Sequence, residues 1–370
     1  MAFPMVGVNA QSFTTTMGGP YAQDAVGIVQ SGAGALVGST VFNGTGHRGT
    51  LLELNAAGNA ISEVEFDVPG AVFLQAMIPS QNGGGYIVGS MIPNGAHEHD
   101  GLLVRVGSGG TIAWTAYPSA AGDQQYHGAT LLPNGDIIVC GISRTDYGHD
   151  ALVARFDALG EMIWSDVQGD LGDEEAYAVA ANADGIMVTG RQVNFGGTTD
   201  ALFLRYALDG TLVWSTTWGG VKNEEGRGII AKPNGNFTMV GTTTSFGTFD
   251  VSEQRIKEHV YVIDIDSNGD TLWTRAMGDT LFDRSIRSVD RATNGELILG
   301  GVRRSLGETD GLLMRCSDAA DPIWERAIDL GNEERILCVR ATSDGLLATG
   351  WAFGSLGRQQ LLLRRNANGD

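Results

Sequence analysis

The stretches AYAVAANADGIMVTGR (residues 176–191) and ALFLRYALDGTLVWST (residues 201–216) carry the pattern on which the fold of this chain turns. Each sets two short apolar segments about an Asp-Gly pair, Asp184-Gly185 in the first and Asp209-Gly210 in the second. Asn-Gly and Asp-Gly supply the positive φ that tight hairpins require. Hydrophobicity alternates within the segments, Leu202, Leu204 and Tyr206 against Phe203 and Arg205, with the strand period of two. The pattern predicts four strands, lettered A to D, over residues 176–182, 186–191, 201–206 and 211–216, with no helical run of useful length.

The unit recurs along the chain. Gly190, near the end of strand B, has counterparts at Gly38, Gly89, Gly141, Gly241, Gly301 and Gly350, and only the step from Gly241 to Gly301 is lengthened, to 60 residues. The Asp200–Arg205 segment is echoed from Asp100 to Arg105, Asp150 to Arg155 and Asp310 to Arg315, with degenerate copies near Arg48, His259 and Gln359. A turn glycine followed by tryptophan recurs at Gly110/Trp114, Gly160/Trp164, Gly210/Trp214 and Gly269/Trp273, and Trp324 continues the series. Seven four-stranded units of ~50 residues predict an all-β, seven-bladed β-propeller. The last copy stops after strand C, while residues 12–19 match residues 213–220, with Phe13 standing where the tryptophan belongs. The N-terminal strand is therefore expected to complete the last blade and close the ring, making residues 11–370 one domain. Residues 1–10 are apolar and end in Val8-Asn9-Ala10, which reads as a leader or the remnant of a signal peptide.

The wording of the repeat (Asp-Ala-Leu, an Asp-Gly turn, Trp, Gly-Gly, an acidic pair, then Val-x-Gly) resembles that of propeller-repeat proteins exported by Bacteroidota-type bacteria. The resemblance covers nearly the whole chain. It implies the propeller architecture and an extracellular, cell-surface or periplasmic location, and it implies no function, because one blade design serves many unrelated tasks.

Composition narrows the partners. The 370 residues include 54 glycines, an excess that the seven sets of turns explain, since there is no collagen-type period and 42% of residues are hydrophobic. The formal charge is −19, and the lysines are only Lys222, Lys232 and Lys257. A nucleic-acid partner needs a basic face and is excluded on that ground. No apolar run approaches the ~18 residues of a membrane span. Cys140, Cys316 and Cys338 sit in apolar strand-like segments and are expected to be buried thiols rather than reactive ones.

Chemistry-bearing residues are few. His97 and His99, spaced i, i+2 in a B–C loop, project from one side of an extended strand and suit a divalent metal, zinc or calcium; otherwise the chain calls for no cofactor. Asp264 to Asp270 resembles the opening of an EF-hand loop, but Arg275 stands where the bidentate glutamate belongs and the segment falls in register with a C–D hairpin. The D–A loops are acidic in nearly every blade (Asp123, Asp173-Glu174-Glu175, Glu224-Glu225, Asp283, Glu333-Glu334). These are expected to pair with the repeated arginines and to give one rim a negative potential. The long blade-five spacing marks an insertion containing Phe246, Phe249 and Asp250. Alternating strand direction sends the D–A and B–C loops to one face, and Tyr126, His127, Arg227, Arg284 and Arg335 are expected near the axis there. No nucleophile elbow, His-Glu-x-x-His or P-loop is present. The expected function is a non-enzymatic binding or scaffold module, a subunit of a larger assembly included, whose D–A/B–C face holds a protein or glycan partner. The alternative is a hydrolase or lyase acting on an acidic polysaccharide or peptide in the axial funnel.

Overall fold

Each predicted hairpin repeat folds as an antiparallel four-stranded sheet, and the seven sheets form a closed ring. The computed structural model describes residues 11–118, 122–145, 148–169 and 172–370, so the leader reading of residues 1–10 lies outside the described residues. Blades 1 to 6 span residues 23–65, 70–116, 124–168, 174–218, 224–277 and 283–328. In blade 4 strands A to D are Glu174–Asn182, Gly185–Val193, Thr199–Tyr206 and Leu212–Trp218, each hydrogen-bonded to the next. No helix occurs among the described residues. Blade 7 is built from Glu334–Ala341, Gly345–Gly354 and Gly357–Asn366, and its outer strand is Phe13–Met17 from the other end of the chain. The register sets Phe13 opposite Arg364 and Met17 opposite Gln360.

The core lies between blades. Alternation sends Leu202, Leu204 and Tyr206 of strand C into a cluster with blade 3, and Ala201 and Phe203 into a cluster with blade 5. The same division repeats at every blade pair, including 7 with 1, where Leu347 and Leu362 meet Ile28 and Leu52. Cys140, Cys316 and Cys338 are buried and unbridged within these layers, and burial pushes the Cys316 thiol up to about 12.

The repeated tryptophans explain the turn glycines. Each ring lies over the C–D turn of the following blade, so a Cβ on Gly210 would stand 2.8 Å from Cδ2 of Trp164, and Gly210 itself has φ +95°. Phe13 does the same for Gly58, where a Cβ would come within 2.6 Å of the ring, and so packs blade 7 onto blade 1. Gly210→Ala forces an L-residue into the left-handed region, at ~1–2 kcal/mol, and adds a steric clash. It is expected to cost about 2–3 kcal/mol in denaturant unfolding, and a loss under about 0.5 kcal/mol would show that the tryptophan yields freely.

The repeated arginines do not reach the D–A acids. Asp150 and Arg155 bracket one strand, and their five-residue separation corresponds to about 17 Å, which puts the arginine at the opposite face. There Arg155 bonds Asp136 at 2.6 Å, Arg364 bonds Asp344 at 3.1 Å, and Arg205 donates to the carbonyls of Ile186 and Asp184. In blade 5 the acid that opens strand A is instead buried as a loop clasp. Glu224 accepts Thr243 Oγ1 at 2.7 Å, the Gly220 amide at 2.6 Å and the Ser245 amide at 3.0 Å. Asp266 caps its own C–D turn through the amides of Asn268 and Asp270, while Asp264 accepts Lys232 and Thr238.

Candidate functional site

One residue in each strand A drops out of the ladder. The register breaks between Ala25 and Gly27, Leu74 and Ala76, Tyr126 and Gly128, Ala176 and Ala178, Gly226 and Gly228, Ile286 and Ser288, and Ile336 and Cys338. A β-bulge adds an unpaired residue and re-aims its side chain. The seven bulged residues, Val26, Gln75, His127, Tyr177, Arg227, Arg287 and Leu337, together line an axial cavity of about 190 Å³. The residue after each is small, because the next blade's strand A approaches there: a Cβ on Gly128 would lie 2.8 Å from the Tyr177 carbonyl oxygen.

The ring is polar on one side. His127 and Tyr177 meet as tilted rings with centroids 5.7 Å apart, and the Arg227 guanidinium lies 3.9 Å from the Tyr177 ring centroid. His127 Nδ1 sits 3.0 Å from the Ala176 carbonyl, which can only accept, so Nδ1 carries the proton. Burial lowers the imidazole's pKa and favours the neutral ring, which leaves a lone pair on Nε2. Tyr177 donates its hydroxyl to Glu175, which also accepts Arg191 at 3.0 Å and faces His149 Nδ1 at 3.4 Å. Burial alone would raise the Glu175 carboxyl, but the bonds from Tyr177 and Arg191 hold it at about 2. Glu225 neutralises Arg227 at 2.7 Å. On the far side of the ring, Arg340 reaches across the channel to the Met77 carbonyl at 2.6 Å and narrows its other end.

Arg287 differs from the other axial cations. It has no ion-pair or hydrogen-bond partner among the described residues. Burial, then repulsion from Arg227 and Arg335, lowers its pKa, with Glu225 opposing. It also lines the floor of a wider mouth, about 640 Å³, between blades 7, 1 and 2. Trp351 stands in the wall of that mouth with the Arg335 and Arg358 guanidiniums over its ring at 5.2 and 5.3 Å. Arg335 pairs with Glu333 at 2.6 Å and Arg358 with Asp24 at 2.8 Å. The acids lining this mouth, Glu333 and Asp24, are thus matched by arginines. The charge left without a partner at the axis itself, among the described residues, is that of Arg287.

The other expected site residues fall elsewhere. Tyr126, one position before a bulge, is fully buried against Phe156 in the layer between blades 2 and 3. Arg284 is buried and held by Asp279 at 2.8 Å and Glu325 at 3.0 Å. In the insertion, Phe249–Asp250 pairs with Arg255–Ile256 as a small hairpin. Asp250 accepts the Ser252 amide at 2.8 Å and Lys257 at 3.3 Å, so it braces the hairpin, whereas Phe246 and Phe249 are half exposed. His99 contacts Ser90 Oγ at 2.8 Å and lies tilted against Phe73, His97 is exposed, and the two gather no third ligand among the described residues. The sequence reading missed Tyr177 and Arg287. The signal for them is a column of small residues (Gly27, Ala76, Gly128, Ala178, Gly228, Ser288, Cys338) after a column of every chemical type.

No protein-family profile matches the chain, and no curated protein matches it. Its shape does match solved structures. The Pan2 WD40 domain of Neurospora crassa superposes with a TM-score of 0.55 at 10% identity, covering 97% of each chain. The periplasmic gluconolactonase of Pseudomonas aeruginosa gives 0.52 at 14% identity over 93% of this chain and 95% of that one. The polysaccharide lyase Uly1 gives 0.56 at 9% identity over 93% of this chain and 90% of that one. Identities this low show a shared propeller fold, on which both binding domains and enzymes are built.

Proposed function

We propose that the protein is an exported, non-enzymatic binding module that takes the acidic end of a carboxylated glycan into its axial funnel. The observation that carries this reading is Arg287, a guanidinium without a partner at the meeting point of the axial ring and the mouth. A planar guanidinium matches a carboxylate in two-point geometry. Arg335 and Arg358 flank the entrance, and the partly exposed Phe353 beside Trp351 offers apolar surface for a sugar ring. A recess narrowing towards the axis suits a chain end better than a flat protein surface. Titration calorimetry with oligogalacturonate is expected to show binding that Arg287→Ala weakens at least tenfold, about 1.4 kcal/mol. Equal binding of a neutral malto-oligosaccharide, or none of the uronate, would sink the idea.

A second reading, a lyase on the same ligand class, is favoured by His127. Its Nε2 lone pair suits removal of the proton α to a uronate carboxylate, with an arginine neutralising the carboxylate. Growth of ultraviolet absorbance from an unsaturated uronate, lost in His127→Ala, would select this reading over pure binding.

A further inference from the structure

Two departures from the repeat coincide between blades 6 and 7. Strand A opens on a buried polar residue in blades 3 to 7: Gln124, Glu174, Glu224, Asp283 and Glu334. In blades 4 and 5 the residue opposite it on strand B donates to it, Gln192 to Glu174 at 2.8 Å and Thr243 to Glu224 at 2.7 Å. In blade 7 the opposite residue is Ala352, which has no donor to offer. Five positions before the acid, the loops entering blades 4, 5 and 6 carry Gly169, Gly219 and Gly278. A Cβ on Gly219 would stand 1.9 Å from Asp200 Oδ1 and 2.9 Å from Glu224 Oε2. The loop entering blade 7 has Asp329 at that position. The chain has withdrawn a donor and added a carboxylate at one spot.

Glu334 is 0% exposed, and neither of its carboxylate oxygens has a hydrogen-bond partner among the described residues. Burial, then repulsion from Asp329 and Asp310, disfavours its ionised form, and the amides of Leu330 and Asn332 oppose this without reaching hydrogen-bond geometry. One oxygen each from Asp310, Asp329 and Glu334 lies within 4.8 Å of the others. Asp310 Oδ2 accepts Arg303 at 3.0 Å, and Asp329 Oδ1 accepts the Gly331 amide at 2.8 Å. Three carboxylates therefore meet one guanidinium, leaving an excess that a divalent cation would match. Unpaired buried carboxylates are costly unless protonated or bound to a cation.

We propose that Asp310, Asp329 and Glu334 form a calcium site that pins blade 7 to blade 6. The donors are all hard oxygens, with no histidine or cysteine to select zinc. Ca²⁺ takes about six to eight oxygen ligands at ~2.3–2.6 Å in flexible geometry and suits an irregular carboxylate cluster, whereas Mg²⁺ demands a near-ideal octahedron at ~2.0–2.1 Å. This site is separate from the funnel, so its test does not depend on any glycan.

The full chain, freed of metal with EDTA and dialysed, would be titrated with CaCl₂ by calorimetry and melted with and without millimolar CaCl₂ or MgCl₂. One calcium is expected to bind, raising the melting temperature by several degrees and by more than magnesium does. Asp329→Gly restores the residue of the preceding loops, and Asp329→Asn keeps the shape. Both are expected to fold, to bind calcium at least tenfold more weakly and to lose the thermal response. A wild-type chain indifferent to calcium overturns the proposal, Glu334 then being protonated. A calcium response undiminished in both variants overturns the assignment to these residues.

Discussion

A chain that begins at Gly18 is expected to unfold roughly 5–10 °C earlier and to self-associate more than the full chain. The deleted strand Phe13–Met17 pairs five residues with the strand Gly357–Asn366. Arg365 further ties it down, donating to the Phe13 carbonyl at 2.9 Å and to Thr14 Oγ1 at 2.6 Å, and Ser12 Oγ donates to the Asp370 carbonyl at 2.8 Å. Ladder bonds are worth ~0.5–1.5 kcal/mol each, and the partly buried Phe13 adds less than the ~1.5–3 of a fully buried phenylalanine. The sum, on the order of 5 kcal/mol, is comparable with the stability of many whole domains. Loss of the strand also leaves Gly357–Asn366 as a long open edge and uncovers Gly58 of blade 1. Light scattering after size exclusion, with thermal melting, checks both effects. A truncated chain matching the full one in both would show that closure rests on the inter-blade layers alone.

Asp264→Ala is expected to cost about 3–5 kcal/mol, nearer the lower figure. Strand C carries an arginine in blades 3, 6 and 7, facing an acid at the A–B turn: Arg155 with Asp136, Arg315 with Glu296, Arg364 with Asp344. Blade 5 inverts the pair, with Asp264 on strand C and Lys232 after strand A, 3.0 Å apart and both almost wholly buried. Thr238 also donates to Asp264, at 2.8 Å. Removing the acid strands a buried ammonium whose remaining carboxylate is the half-exposed Asp318 at 3.3 Å. Breaking one side of such a pair costs more than replacing both. The double variant Lys232→Met/Asp264→Leu should therefore recover most of the loss in urea unfolding. A double variant as weak as the single one would mean that shape, not charge, is what the site requires.

The architecture was readable because everything that makes a blade recurs: the Asp-Gly turns, the strand-B glycine, the tryptophan over the next turn. Even the closing strand could be found, since Phe13 keeps the tryptophan's place. The axial site was only half readable. His127 and Arg227 were legible as polar residues on strand A, yet Tyr126 and Arg284 were expected beside them and lie buried between blades. The reason is the bulge. The inserted residue alone turns to the axis, whereas Tyr126 and Arg284 lie ahead of it and keep their places in the ladder. Arg287, three residues past Arg284, was hidden for the same reason. The acid–arginine pairing was misplaced because composition tells nothing of which end of a 17 Å strand (about 3.3 Å per residue) a side chain occupies.

The unpaired position in every strand A has an evolutionary consequence. Its side chain contributes nothing to the ladder that defines the blade, and it points into the lumen rather than into the layers between blades. Valine, glutamine, histidine, tyrosine, arginine and leucine all occupy it within this one chain. The seven positions thus behave as an interchangeable cassette: mutation can rewrite the chemistry of the lumen one blade at a time while stability is guarded elsewhere. Divergence of ligand choice among such rings is then expected to proceed by substitutions at these seven places, with the scaffold unchanged.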